Sequence, residues 1–274
     1  MATIDFASRC RSGAETIERF VRPATFPLAV RFAGGGETLE GARRPARDLG
    51  VRVTICQAIS MARRYGWTVA LDGDDLSCPI AAVAFGYRPE LPYYREGHLA
   101  YGMYNETLEA AARSEAAIPK APRGGYGAIW VAPLAKGAFE PQVVLLYANP
   151  AQVMRLAAAA LWKRGGVLHA VVNPRADCAE ELIRTLQADD YQVILPCYGD
   201  RIFGHTQDDE MAFALPFRLL DELVEGLQGT HKGGVRYPIP GFLQFEAVFP
   251  PSYRELQRRF EAPGPSPPPG AGAP

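Results

Sequence analysis

Most of the chemistry this sequence offers lies in four separated cysteines, Cys56, Cys78, Cys178 and Cys197. Thiolates are soft ligands, suited to zinc and to iron–sulfur centres. The spacing itself is uninformative: there is no Cys-x-x-Cys pair and neither a zinc-finger nor a ferredoxin pattern. The local settings say more. Thr54-Ile55-Cys56-Gln57 has the form of a capping box, which puts Cys56 in the first turn of a helix. Pro79 follows Cys78 and marks it as an N-cap candidate. Asp177-Cys178-Ala179-Glu180 again has the capping-box form, with Cys178 at the first helical position. Cys197 follows a strand-like run, 191–195, and leads into the turn-like Tyr198-Gly199-Asp200-Arg201. A helix N-terminus carries partial positive charge and free N–H groups, so three of these thiols are expected to lean toward thiolate. The same N–H groups can donate to metal-bound sulfur. Free cysteine also serves as a small buried hydrophobe, so the residues alone leave two readings open, core packing and a shared ligand set. Cys10, the fifth, lies in a polar N-terminal stretch and is set aside.

Other side chains add candidates. Arg201 can offset thiolate charge or bind an anion, and equally reads as a surface loop arginine. Gln57 and Gln152 are hydrogen-bond donors for a ligand, or helix caps. Asp208-Asp209-Glu210 reads as a solvated turn before a cation site. Arg123-Gly124-Gly125-Tyr126 lacks the phosphate-loop patterns and reads as a turn leading into a strand. His169 falls in a run expected to be a buried strand, and His205 and His231 fall in loops, none with ligand spacing.

These residues need elements to position them. Runs 26–32, 67–71, 128–133, 143–147, 167–172, 191–195 and 211–215 have strand composition. Between them, 55–65, 106–117, 151–163, 179–188 and 217–227 repeat apolar residues at helical steps. The alternation predicts an α/β or α+β domain, 1–252, with helices packed on a sheet. The two halves echo each other, which predicts similar lobes, 26–118 and 142–229, about a pseudo-twofold axis with a site where they meet. In that register Cys78 corresponds to Cys178, and Cys56 to Ala151. A short helix, 253–262, precedes a Pro/Gly-rich stretch, 263–274, expected to be disordered.

The bulk composition excludes several classes. The 274 residues are 48% hydrophobic with a net charge of −1, enough to bury a core and without the basic surplus that a nucleic-acid partner requires. No apolar run suggests a membrane span or a secretory signal, so a cytoplasmic protein with reduced thiols is the expectation.

Phe26-Pro27-Leu28-Ala29-Val30-Arg31-Phe32, Ile55-Cys56-Gln57-Ala58, Leu76-Ser77-Cys78-Pro79, Val131-Ala132-Pro133-Leu134 and Asn149-Pro150-Ala151-Gln152 resemble, in order and spacing, the domain-of-unknown-function 169 family. So do Ala176-Asp177-Cys178-Ala179, Leu195-Pro196-Cys197-Tyr198-Gly199-Asp200-Arg201 and Asp208-Asp209-Glu210-Met211. The resemblance runs from about 26 to 227. It implies an iron–sulfur protein in which Cys56, Cys78, Cys178 and Cys197 ligate one [4Fe-4S] cluster, with Gln57 and Arg201 beside it. Family members often carry acidic–His–Ser–Cys where this chain has Asp75-Leu76-Ser77-Cys78, so histidine-dependent chemistry is not implied. The expected role is redox or electron transfer with a redox partner protein. The alternatives are a metal-free or zinc-containing binding protein holding a small-molecule ligand between the lobes, and an enzyme with one activated cysteine, most plausibly Cys78. Substrate and oligomeric state are left open.

Overall fold

The computed structural model describes residues 5–170, 172–239, 241 and 247–261. In chain order the elements are α1 (Phe6–Phe20), β1 (Leu28–Ala33), α2 (Pro45–Asp48), α3 (Ile55–Tyr65), β2 (Val69–Leu71), α4 (Pro79–Ala84), α5 (Pro92–Arg95) and α6 (Leu108–Ala117). Then follow β3 (Ala128–Pro133), β4 (Val143–Ala148), α7 (Pro150–Ala160), α8 (Asp177–Ala179), α9 (Thr185–Ala188), β5 (Gln192–Ile194), β6 (Met211–Pro216), α10 (Leu220–Lys232) and α11 (Pro251–Glu261). A π turn, Glu180–Arg184, joins α8 to α9, and a second, Asp200–Gly204, lies between β5 and β6.

The six strands form one wholly antiparallel sheet in the order β2-β3-β1-β4-β6-β5. β4 is buried at every position, as a central strand covered on both faces must be. Side chains alternate across it. Leu28, Val30, Val143, Leu145 and Tyr147 pack toward α3, α4 and the α8–α9 segment. Ala29, Val144, Leu146 and Phe213 pack toward α1, α7 and α10 on the opposite face.

The order reads as two halves, 2-3-1 and 4-6-5, joined by the antiparallel β1–β4 pair. Each half places a helix before its edge strand, α3 before β2 and the α8–α9 segment before β5, on the same sheet face. Cys56 and Cys178 are the second residues of these helices. Cys78 and Cys197 follow the two edge strands. The halves therefore match Cys56 with Cys178 and Cys78 with Cys197, a different register from the one the sequence echo suggests. The sequence echo pairs α3 with α7, but α7 lies on the other face of the sheet and has no counterpart in the first half.

Thr54 and Gln57 form a capping box that opens α3, and Asn149 and Gln152 form one that opens α7. Gly66, at φ 71°, closes α3 in the left-handed conformation that favours glycine. Two expectations fail. Residues 167–170 and 172 form no strand, because the edge of this half of the sheet is taken by β5, which pairs with β6. Val167, Val172 and His169 are exposed there, and residue 171 lies outside the described residues. His231, expected in a loop, lies in the last turn of α10, and Cys10, set aside above, sits on the inner face of α1, fully buried.

Met1–Tyr237 forms one compact unit. In the second, α11 has no buried residue and carries Arg258 and Arg259 paired with Glu255. The stretch expected to be disordered, 263–274, lies outside the described residues.

Candidate functional site

The four cysteines reach one place. Cys56, Cys78, Cys178 and Cys197 all line a single cavity of about 250 Å³, together with Ile80, Leu99, Met103, Tyr104, Arg175, Asp177, Asp200 and Phe203. Each thiol arrives on a different segment. The Thr54 hydroxyl hydrogen-bonds Cys56 Sγ at 2.9 Å, and Cys56 rides on the first turn of α3. Cys78 is the N-cap of α4, ahead of Pro79 at the first helical position, as its sequence setting predicts.

The setting of Cys178 differs from its prediction. No capping box forms, because α8 starts from Ala176, held at φ 53°, and Asp177 is its first residue. The Asp177 carboxylate instead ties two cysteines together. Its Oδ1 accepts from the Cys178 N–H at 2.9 Å and from Cys197 Sγ at 3.0 Å, and its Oδ2 accepts from the Cys197 N–H at 3.0 Å. A residue expected to cap its own helix thus sets the distance between two segments.

The thiols do not behave as helix-start thiolates. Burial raises the pKa of all four, and the N-terminal amides do not overcome it. Cys197 is pushed up to about 12 by burial and by the Asp177 charge. Cys178 is held well above the ordinary value by burial, by Asp177 and by the other three cysteines. Burial also raises Cys78, against the opposing pull of the Ala81 and Ile80 amides and Arg175. Raised pKa values favour the neutral thiol at all four positions.

Neither of the flanking candidates reaches the cavity. Gln57 Oε1 accepts from the Thr54 N–H at 2.8 Å, so Gln57 is a cap. Arg201 turns away, donating from Nη1 to the Gln207 carbonyl at 2.6 Å. The cation that does line the cavity is Arg175, which sequence reading passed over. It is 3% exposed, donates to Glu115 Oε1 at 2.5 Å and stacks over the Tyr104 ring at 5.0 Å. Its one sequence signal is its position three residues before Cys178.

A second feature also escaped the sequence. Asp177, Glu181 and Asp200 bring one carboxyl oxygen each within 4.8 Å of one another, and all three residues are buried. Asp177 and Glu181 lie one helical turn apart, a spacing that puts both on one face. Nothing in the sequence brings Asp200 to them. Burial and mutual repulsion push Asp200 up to about 7 and hold Glu181 well above the carboxylate range. Of the acidic run 208–210, only Glu210 is drawn inward. Its carboxylate accepts from both terminal nitrogens of Arg63, at 2.6 and 3.0 Å.

Among the described residues, no three of the thiol sulfurs lie within 4.8 Å of one another. Tetrahedral zinc at its usual bond length needs sulfurs about 3.8 Å apart. A four-iron cube attaches each thiolate to a different iron and so spaces them more widely.

The DUF169 family, described as uncharacterised ArCR, matches residues 16–226, and the chain belongs to it. The chain is also 27% identical over 176 residues to the uncharacterized protein MJ0308 of Methanocaldococcus jannaschii, covering 63% of this chain and 75% of that protein. No solved structure matches it. No helix among the described residues is long and apolar enough to cross a membrane.

Proposed function

We propose that this DUF169 protein binds a [4Fe-4S] cluster through Cys56, Cys78, Cys178 and Cys197 and serves a redox or electron-transfer role. The reading is carried by one observation: four thiols from four separate segments, and from both halves of the sheet, line one cavity. Such a cluster supplies a one-electron centre. The chain's own residues prepare the place for it. Asp177 fixes the backbones of Cys178 and Cys197, Arg175, itself paired with Glu115, lines the same cavity, and Leu99, Met103 and Phe203 add apolar wall. With all four thiols engaged no iron is left open, which favours electron transfer over substrate ligation. The raised thiol pKa values speak against a lone nucleophilic cysteine.

The test is anaerobic purification of the full chain with iron and acid-labile sulfide analysis. About four of each per chain are expected, falling sharply in Cys178→Ser. A colourless protein with neither, even after anaerobic reconstitution, overturns the reading. Stoichiometric zinc without sulfide supports the zinc alternative instead. The apolar lining, Ile80, Leu99, Met103 and Phe203, also favours a second reading, a metal-free protein with a small apolar ligand in the same cavity. In that case neither iron nor zinc is found, and an apolar probe shields the thiols from alkylation.

A further inference from the structure

Beside the thiols stands a donor set of opposite character. Asp177, Glu181 and Asp200 offer three carboxyl oxygens within 4.8 Å of one another, with no thiol or imidazole among them. An acidic cluster alone is not evidence of a ligand, since carboxyls can share protons. The distinguishing group is Glu181. It is fully buried, its carboxyl is directed into the cluster, and neither oxygen has a hydrogen-bond partner among the described residues. The Tyr147 hydroxyl is near enough to act on Glu181 and Asp200 as a hydrogen-bonding neighbour, but neither Glu181 oxygen has a partner of full hydrogen-bond geometry. A buried carboxyl with no partner is costly in either protonation state, so such a group calls for a ligand to its oxygens.

Among the described residues, no neighbouring side chain supplies a free cation. The cation facing Glu181 and Asp200 is Arg63, and its guanidinium is already committed to Glu210 through two hydrogen bonds and to Thr206 at 3.1 Å. The other two carboxyls are held in place from outside. Asp177 is fixed by the Cys178 and Cys197 amides, and Asp200 accepts from the Thr206 hydroxyl at 2.5 Å. Gly204 leaves room for Asp200, since a Cβ there would run into Asp200 Oδ1. Glu181 and Asp200 sit on the two π turns, a local geometry that recurs at functional sites. Two oriented carboxylates and one free one form an incomplete oxygen shell.

We propose that Asp177, Glu181 and Asp200 form a site for a hard divalent cation of the Mg²⁺, Mn²⁺ or Fe²⁺ class, adjoining the thiol cavity and separate from the cysteine ligands. Oxygen donors select such ions, while the thiols select soft ones, so the two sites sort metals by chemistry. Asp177 and Asp200 also line the thiol cavity, which gives the ion its route in. The site does not depend on the cluster reading.

The test uses Mn²⁺ alone, a hard and paramagnetic ion, titrated into the chelator-treated full chain and followed by electron paramagnetic resonance. One Mn²⁺ per chain is expected, displaced by excess Mg²⁺, with a rise in the thermal midpoint. Glu181→Gln and Asp200→Asn, both isosteric, should each weaken binding by about tenfold or more and abolish that rise. Iron and sulfide measured on the same samples separate this result from the fate of the cluster proposal. Absence of stoichiometric Mn²⁺ binding to the wild-type chain overturns the site. So does equal affinity in a folded Glu181→Gln or Asp200→Asn variant, and the carboxyls then stand as shared-proton acids.

Discussion

At the scale of the residue, the contest in this site is between a helix end and burial. The partial charge at a helix N-terminus is worth about 0.3–1 kcal/mol, while full burial of an ionisable group shifts its pKa by up to about 3–5 units. Burial wins for all four cysteines, and the thiols are protonated in the metal-free chain. Asp177 shows how one carboxylate can take on more than its sequence setting suggests. It accepts from two backbone amides and one thiol, with both oxygens in use. Asp177→Asn leaves a single acceptor oxygen and turns an NH₂ toward an amide it cannot receive. The metal-free variant is expected to lose about 1.5–3 kcal/mol of stability in denaturant melts, the range for a hydrogen bond to a charged group. A loss below about 0.5 kcal/mol would show that the two cysteine segments are held by something else.

At the scale of the element, close packing behind the sheet keeps the site's platform rigid. On the face away from the cysteines, α7 and α10 approach so closely that a Cβ on Gly226 would run into the Ala159 carbonyl. Ala is favoured over Gly in a helix interior by about 1 kcal/mol, but a clash with backbone cannot be relieved by a rotamer change. Gly226→Ala should therefore destabilise the chain by a net amount of about 1–3 kcal/mol, read as a lowered thermal midpoint. A stabilised variant would mean that the two helices separate freely. The cysteine-bearing elements are of another kind. The α8–α9 segment is interrupted by a π turn, and Cys197 leads into a second one, so this side of the cavity is made of short, irregular pieces held by Asp177 and Thr206.

At the scale of the whole molecule, the four thiols come from both halves of a sheet whose strand order is symmetric about the β1–β4 pair. A group bonded to all four cross-links segments spread from residue 56 to residue 197, and its binding energy becomes folding energy. A ligand present at a thousandfold over its Kd contributes about 4 kcal/mol. For a chain of this size that corresponds to a midpoint roughly 8–16 °C higher in the cluster-loaded than in the cluster-free protein. Equal midpoints by calorimetry would show that the cysteines are not bridged.

The sequence by itself determined the local parts. Capping chemistry placed Cys56 and Cys78 at helix starts, since a Thr-x-x-Gln box and a Cys-Pro junction act within one turn of chain. Strand composition in short apolar runs located β1, β3, β4 and β6. The Val167–Val172 run has equally strong strand composition, but pairing needs a free neighbouring edge and composition does not report one. Only the tertiary structure decided that four thiols share a cavity, that Arg175 and not Arg201 lies beside them, and that Asp200 meets Asp177 and Glu181. Each of these depends on which distant segments fold together, and on a burial that reverses the preference a helix end would give. The four cysteines stood out by type from the start; their common cavity and their protonation are properties of the packed chain.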